Sequence, residues 1–229
     1  MAPSLDVTHI GTATAILEIN GVNFLTDPFF STAGTSWDRG RVILKVTEDL
    51  GLRLDQLPVI DAVLLSHEDH PDNLDELGRQ LLDGRRVFTT CDGAKNLAPR
   101  PPVHGMKAWE EIDIPIAGKQ FKIVAVPTKH VPGNECTGFI VTGEDFGHGR
   151  EGLPNAIYFT GDTVYIDELD SIADRPRMQI TMGGKDGAKL FRALKADVLF
   201  GDELRQAFEE EGISDKICWL KGGEKISVL

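Results

Sequence analysis

The segment from Asp61 to Asp75 changes character abruptly, and this change constrains the fold more than any other feature of the chain. Its apolar run, Ala62 to Leu65, has the length and continuity of a strand that is covered on both faces. Leucines then recur at helical spacing from Leu74 to Leu82, so a helix is expected to follow, with Asp72 as its N-cap and Asp75 in its first turn. The segment therefore predicts a buried strand that leads through a polar turn into a helix.

The polar turn carries two imidazoles and several carboxylates, which include His67, Asp69, His70 and Asp72. A loop at a strand end holds such side chains on rigid neighbouring structure, and imidazole nitrogens and carboxylate oxygens are donors that metal ions bind. The pattern indicates a metal site. On this segment alone, the alternative is a solvated acidic loop in which the histidines are incidental.

Three more polar side chains are expected just after strands. Asn20-Gly21 between two β-rich runs predicts a hairpin, and Asp27 follows its second strand, where an aspartate either forms a turn or orients a ligating imidazole. His130 follows a second alternating hairpin, predicted over 111–126. Asp162 follows a strand predicted over 156–160. Because His67, Asp72, His130 and Asp162 all occupy strand ends, a metal centre is the better interpretation.

The other elements follow from local patterns. His104 is expected to be an exposed loop histidine after a proline-rich connection, and His148 an incidental residue in a glycine-rich loop. The remaining expectations are a loop over 31–57, strands over 85–90, 138–141 and 196–200, helices over 92–97, 166–173, 187–195 and 204–211, and a closing hairpin over 217–229 that turns at Gly222-Gly223.

Composition limits the classes of function. A chain of 229 residues with 41% hydrophobic content supports one domain over 1–229. The net charge of −12 argues against nucleic acid or an anionic membrane as the main partner and leaves a small-molecule substrate. No targeting or membrane-spanning segment is evident, and three scattered cysteines (Cys91, Cys136, Cys218) do not form a disulfide framework, so a cytoplasmic location is expected. The oligomeric state is left open.

Five motifs in order resemble the metallo-β-lactamase superfamily, in particular the branch of the ascorbate-phosphate lactonases and of the phospholipase D that cleaves N-acyl phosphatidylethanolamines. The resemblance spans roughly residues 7 to 165. The motifs are His9 to Ala13 with Leu25 to Pro28, Leu64 to His67 with Asp72, Pro127 to His130, Gly138 to Ile140, and Tyr158 to Thr163.

The resemblance implies an α+β fold, the αββα sandwich, with one or two metal ions, usually zinc, with manganese or iron as alternatives. His67 and His130 match imidazole ligands, Asp162 matches the carboxylate that bridges two metals, and Asp72 matches the loop aspartate that binds the second metal or orients water. The implied activity is hydrolysis of an ester, lactone, thioester or phosphodiester by a metal-bound hydroxide.

Several positions depart from the family pattern. The family loop reads His, one residue, His, one residue, Asp-His; here the loop is one residue longer, so either Asp69 or His70 takes the second ligand position, and Asn73 stands in place of the last histidine. Thr12 stands where the branch usually has histidine.

The C-terminal half looks shortened: a strand after Gly161-Asp162-Thr163 is expected to be missing, and no histidine follows His148 unless Asp202 or Glu203 substitutes as a ligand. Two hypotheses follow from these departures, a metal-dependent hydrolase and a catalytically silent member of the fold that binds a partner or acts as a scaffold.

Overall fold

The computed structural model describes residues 4–38, 40, 43–130, 135–148, 152, 154–174, 177–181, 184–193, 199–201, 209, 212, 215 and 217–228. The chain divides into two compact units. The first unit comprises Ser4–Met106 with Lys221–Leu229, and the second contains Lys107–Leu220. The prediction of one domain over 1–229 is not decided by this division and stays a prediction.

The first unit is built on a seven-stranded sheet. Its strands are β1 Leu5–Gly11, β2 Thr14–Ile19, β3 Val22–Thr26, β6 Ala62–Leu64, β7 Arg86–Thr90, β8 Val103–Met106 and β16 Lys225–Ser227. Their order in the sheet is β16-β1-β2-β3-β6-β7-β8. Strands from β16 to β3 are antiparallel, and those from β3 to β8 are parallel. Two short strands, β4 Ser36–Asp38 and β5 Ile43–Lys45, form a separate ribbon where a loop was predicted. The helices are α1 Glu76–Leu81 and α2 Cys91–Asn96, with a 3-10 turn at Leu54–Gln56.

The second unit contains another seven-stranded sheet. Its elements are β9 Glu111–Ile116, β10 Lys119–Pro127, β11 Thr137–Gly143, β12 Asn155–Phe159, β13 Arg177–Thr181, α3 Gly184–Ala193, β14 Leu199–Gly201 and β15 Ile217–Trp219, with 3-10 helices at Glu144–Phe146 and Asp167–Asp174. The strand order is β15-β14-β13-β12-β11-β10-β9. Strands β9 to β12 are antiparallel, and the pairs from β12 to β15 are parallel.

The first hairpin forms as its turn residues predict. Asn20 and Gly21 have φ values of 52° and 79°, and Ile19 pairs with Val22 across the turn. Positive φ at both central residues matches the right-handed twist of the strands, and asparagine and glycine tolerate it best. This turn fixes the register of β2 against β3 and so places Asp27 at the end of β3.

The strand before the polar loop is fully buried. Ala62, Val63 and Leu64 are all inaccessible to solvent, and β6 lies between β3 and β7 in parallel pairing. The helix after the loop begins later than predicted, because Asp75, and not Asp72, is its N-cap: the Asp75 side chain accepts a hydrogen bond from the Gly78 amide. Asp72 is therefore not the N-cap that the sequence predicted.

Three further expectations were wrong. The last segment does not form a hairpin, because β15 pairs parallel with β14 and β16 pairs antiparallel with β1 in the other sheet. The strand expected to be missing after Gly161-Asp162-Thr163 is present as β13, parallel to β12. His104 lies in β8, half-buried, with its ring stacked on Phe88 at 5.4 Å between centroids, and burial lowers its pKa.

The two sheets and few helices confirm the predicted mixed α+β class. Asp202 and Glu203, proposed as substitute ligands, lie outside the described residues, as does the predicted helix over 204–211 apart from Glu209. In the described part of the chain, no helix is both long and apolar enough to cross a membrane.

Candidate metal centre

His67 lies just past the end of β6, in backbone that is fixed from both sides. The Leu64 carbonyl accepts a hydrogen bond from the Asp27 amide at 3.1 Å, and the Leu65 amide donates to the Phe88 carbonyl at 2.9 Å. These bonds extend the pairing with the neighbouring strands beyond the assigned end of β6. His67 itself is 1% exposed, so the imidazole is held at the end of a rigid, buried segment.

His70 lies against His67 in the same loop. The His67 Nε2 and His70 Nδ1 atoms are 3.0 Å apart, with the ring planes at 83°. The His70 carbonyl accepts from the amides of Asn73 and Leu74, and this tight turn brings the His70 ring back towards His67. Two facing imidazole nitrogens either share one proton or direct two lone pairs at a common cation.

The two loop aspartates differ in their surroundings. Asp69 is exposed. Asp72 is half-buried, and its carbonyl accepts a hydrogen bond from Thr12 Oγ1 at 3.3 Å. Among the described residues, Asp72 Oδ1 has no hydrogen-bond partner although it is shielded from solvent. A buried carboxylate oxygen without a partner costs free energy, and a cation or a bound molecule would relieve that cost.

Asp27 reaches His67 through Ser66. Its carboxylate accepts from the Ser66 amide at 2.6 Å and from the Ser66 hydroxyl at 2.8 Å, and Ser66 Oγ lies 2.9 Å from His67 Nδ1. Asp27, Ser66 and His67 are each at most 1% exposed. The backbone of Asp27 has a φ of 33°, a strained conformation that these bonds hold in place.

In the second unit, His130 and Asp162 come together at the ends of β10 and β12. The Lys129 amide donates to Thr163 Oγ1 at 2.9 Å, and the Val164 amide donates to the Lys129 carbonyl at 3.0 Å, so the two loops are tied across the end of β11. His130 Nε2 then lies 3.8 Å from Asp162 Oδ2. This is longer than a good hydrogen bond, and it is a separation that two ligands of one metal ion can have.

A glycine allows the strand ends of the second unit to approach each other. A Cβ on Gly138 would lie 2.7 Å from the Thr160 carbonyl oxygen and 2.9 Å from the Tyr158 ring, so a larger residue would force β11 away from β12. Cys136, just before β11, donates from Sγ to the Asp162 carbonyl at 3.3 Å. These contacts fix the backbone that carries Asp162.

A polar clamp surrounds Glu68, and no pattern in the sequence predicted it. One Glu68 carboxylate oxygen accepts from Arg79 Nη2 at 2.9 Å, and the other accepts from Asn96 Nδ2 at 2.8 Å. The same Arg79 nitrogen also donates to the Glu68 carbonyl. The Glu68 side chain is only 10% exposed, so this clamp ties the residue beside His67 to both α1 and α2.

Removing Arg79 tests the importance of this clamp. Arg79→Ala is expected to lower the free energy of unfolding by about 1 to 3 kcal/mol, because Glu68 stays buried without its cation, while the partial exposure of Arg79 limits the loss. Urea titration measures the change. Arg53→Ala is the matched control: its ion pair with Asp55 is about 70% exposed on both sides and should have no measurable effect. Equal losses in the two variants would contradict a structural role for the clamp.

The residue types present fit a metal ion. His67 and His70 in the first unit and His130 and Asp162 in the second offer imidazole nitrogens and a carboxylate oxygen, and within the part of the chain that the structure describes they are the group of side chains that could hold one. Imidazole and carboxylate donors suit zinc, manganese and iron.

Comparison with known proteins places this chain in a family. The family model described as a beta-lactamase superfamily domain matches residues 22–182. A metal-dependent hydrolase from Methanopyrus kandleri is 26% identical over 255 aligned positions, which cover 95% of this chain and 97% of that protein. An uncharacterized protein from Mycobacterium tuberculosis is 28% identical over 191 positions, which cover 79% of this chain and 48% of that protein, so the chain spans about half the length of this relative.

Solved structures share the fold. An isothiocyanate hydrolase from Delia radicum gut bacteria aligns with a TM-score of 0.76 and 20% identity, over 96% of this chain and 98% of that one. A metallo hydrolase from Ignicoccus hospitalis aligns with a TM-score of 0.70 and 18% identity, over 99% of each chain. Since the family model covers most of the chain and the fold agrees, the protein belongs to the metallo-β-lactamase superfamily.

Proposed function

We propose that the protein is a metal-dependent hydrolase and that His67, His70, His130 and Asp162 each supply one ligand to its metal centre. The observation that carries the proposal is the pair of imidazole nitrogens of His67 and His70, 3.0 Å apart in a loop that follows a buried strand. Similarity to a metal-dependent hydrolase over nearly the whole chain supports the same activity.

The geometry favours His70 over Asp69 as the second ligand of the loop. His70 faces His67, whereas the side chain of Asp69 is exposed. Zinc is the proposed metal because three imidazoles and one carboxylate form a donor set that zinc commonly takes, with manganese and iron as the alternatives and one or two ions bound.

The proposed reaction is hydrolysis of an ester, lactone, thioester or phosphodiester. When bound, the metal would supply a water molecule of lowered pKa and a positive charge that polarises the bond under attack. The chain itself would supply a proton acceptor at Asp72 Oδ1, which has no hydrogen-bond partner among the described residues and so is available for this role. A small-molecule substrate and a cytoplasmic location belong to the same proposal.

The second candidate function is a catalytically silent binding or scaffold protein. The observation that favours it is the side chain of Asn73, which stands where the family loop has a histidine and which binds Ser66 and the His67 carbonyl. A protein of this kind would keep the fold and lack turnover.

Metal content separates the two candidates. The purified protein should hold close to one equivalent of metal or more, and His70→Asn should lower that content severalfold, because an imidazole ligand is lost. Asp69→Asn, one residue away and exposed, is the matched control and should leave the content unchanged. Elemental analysis gives the result. Less than about a tenth of an equivalent in the unaltered protein, with no gain after addition of zinc or manganese, would rule out the hydrolase.

The activity assay uses an ester, a lactone, a thioester and a phosphodiester, with an isothiocyanate included because one structural neighbour hydrolyses this class. Metal-dependent turnover of any of these substrates supports the hydrolase. Full metal occupancy without turnover of any substrate favours the silent alternative.

A further inference from the structure

The Ser66 hydroxyl is the centre of a buried network in the first unit. Its oxygen lies 2.8 Å from Asp27 Oδ2, 2.9 Å from His67 Nδ1 and 3.2 Å from Asn73 Nδ2. The four residues are between 0 and 3% exposed. A hydroxyl has one hydrogen to donate and two lone pairs that accept, so three partners use its full capacity.

The direction of each bond follows from the chemistry of the partners. The Asn73 amide nitrogen is a donor, and its assignment is supported by its second contact, 3.0 Å from the His67 carbonyl oxygen, which can only accept. Asn73 therefore occupies one lone pair of Ser66. The Asp27 carboxylate accepts from the Ser66 amide through one oxygen, and its other oxygen lies 2.8 Å from the Ser66 hydroxyl and accepts the hydroxyl hydrogen.

One lone pair of Ser66 then remains for His67, and the proton must lie on Nδ1 of the imidazole. We propose that Ser66 and Asn73 are positioning residues that lock His67 in the tautomer with Nδ1 protonated, so that Nε2 presents its lone pair before any metal binds. That Nε2 atom is the one that faces His70 at 3.0 Å. The order of bonds runs from His67 through Ser66 to Asp27: the Asp27 carboxylate takes the hydroxyl hydrogen, and Asn73 occupies the lone pair that His67 does not use.

This inference gives Asn73 a role other than that of a weaker ligand. Its amide nitrogen lies 3.0 Å from the His67 carbonyl oxygen and 3.2 Å from Ser66 Oγ, and its longest contact, 3.3 Å, is with His67 Nδ1. The two amide hydrogens therefore go to the two nearer oxygens, both within the first unit. Only the consequence of this inference, that His67 is a preorganised metal ligand, rests on the proposed function. The tautomer itself is a property of the metal-free protein.

Nitrogen NMR of the imidazoles in the chelator-treated full-length protein tests the inference directly. At about pH 8, where imidazoles are largely neutral, His67 should show a protonated Nδ1 and an unprotonated Nε2, with its signals assigned by their loss in His67→Gln. Ser66→Ala should move a measurable fraction of His67 to the other tautomer and weaken metal affinity by about 10- to 100-fold. Ser66→Thr, which keeps the hydroxyl, should restore the original tautomer.

Thr26→Ala is the control, since it also deletes a buried hydroxyl, which donates to the Ala13 carbonyl just before β2 and does not contact the imidazole. It should leave the His67 tautomer unchanged. A protonated Nε2 on His67 in the unaltered protein, or an unchanged tautomer in a folded Ser66→Ala variant, would overturn the inference. The first of these two results is measured on the unaltered protein, so it does not depend on whether a variant folds. Failure of the protein to bind metal would instead contradict the proposed function and leave the NMR result to decide the tautomer.

Discussion

Replacing His130 with alanine is expected to weaken metal binding by at least about 100-fold. Loss of a partner that only orients a ligand typically costs 10- to 100-fold in affinity, and loss of the ligand itself should cost no less. His130 lies 3.8 Å from Asp162 in loops that backbone hydrogen bonds tie together, so the rest of the loop should keep its position in the variant. Competition with a chelator of known affinity measures the change.

His148→Ala is the matched control for this prediction. His148 is an exposed histidine of the same unit, in a bridge with Pro154. Its replacement should leave both the metal affinity and the fold unchanged. If His130→Ala binds metal as tightly as His148→Ala does, the proposed ligand set is wrong.

Replacing Asp75 with alanine is expected to lower the free energy of unfolding by about 2 to 4 kcal/mol. The Asp75 carboxylate accepts three hydrogen bonds, from the Gly78 amide at 2.8 Å, the Phe30 amide at 2.9 Å and Ser31 Oγ at 2.7 Å. Alanine removes the N-cap of α1 and leaves the buried Phe30 amide without its acceptor. Urea titration of the metal-free protein gives the loss without a contribution from bound metal.

Asp92→Ala provides the comparison, since Asp92 is an exposed carboxylate in the first turn of α2, where Thr90 is the N-cap. Its loss should change stability by less than about 0.5 kcal/mol. A similar small effect for Asp75→Ala would mean that the loop between β3 and β4 does not depend on this carboxylate.

Elements whose signals are local were predictable from the sequence. Asn20-Gly21 fixes its hairpin because few residue pairs accept two positive φ values, and the apolar run at Ala62 forms β6 because its composition suits burial on both faces. Strand β7 and helix α2 also begin within about one residue of their predicted first residues. In each case the deciding interaction is between near neighbours in the chain.

Elements that depend on distant partners were not predictable. β15 and β16 read as one hairpin because they are close in sequence, yet each pairs with a strand from a different sheet. The N-cap of α1 was misplaced because Asp72 and Asp75 are equivalent by residue type, and contacts with Phe30 and Ser31 favour Asp75. Such choices are made by tertiary contacts, which a single sequence does not display.

The candidate site also contains some residues that were predictable from the sequence and others that were not. His67, His130 and Asp162 stand out because donors recur just past strand ends, a pattern visible in the sequence. The choice between Asp69 and His70 depends on the direction of the loop, which the bonds from Asn73 and Leu74 to the His70 carbonyl set. The network of Ser66 and Asn73 was missed because serine and asparagine carry no pattern that marks them as partners of an imidazole.

The pairing of β16 with β1 affects the order in which the protein can fold during synthesis. Strand β1 is made first, but its partner on that side, β16, is translated only after the whole second unit. Until then, the β1 edge has no neighbour there, and Asp6 and Glu18 lack Lys225, which binds both. An unpaired edge is a template for association with other chains, so the nascent protein passes through an aggregation-prone stage that ends when its last strand is added.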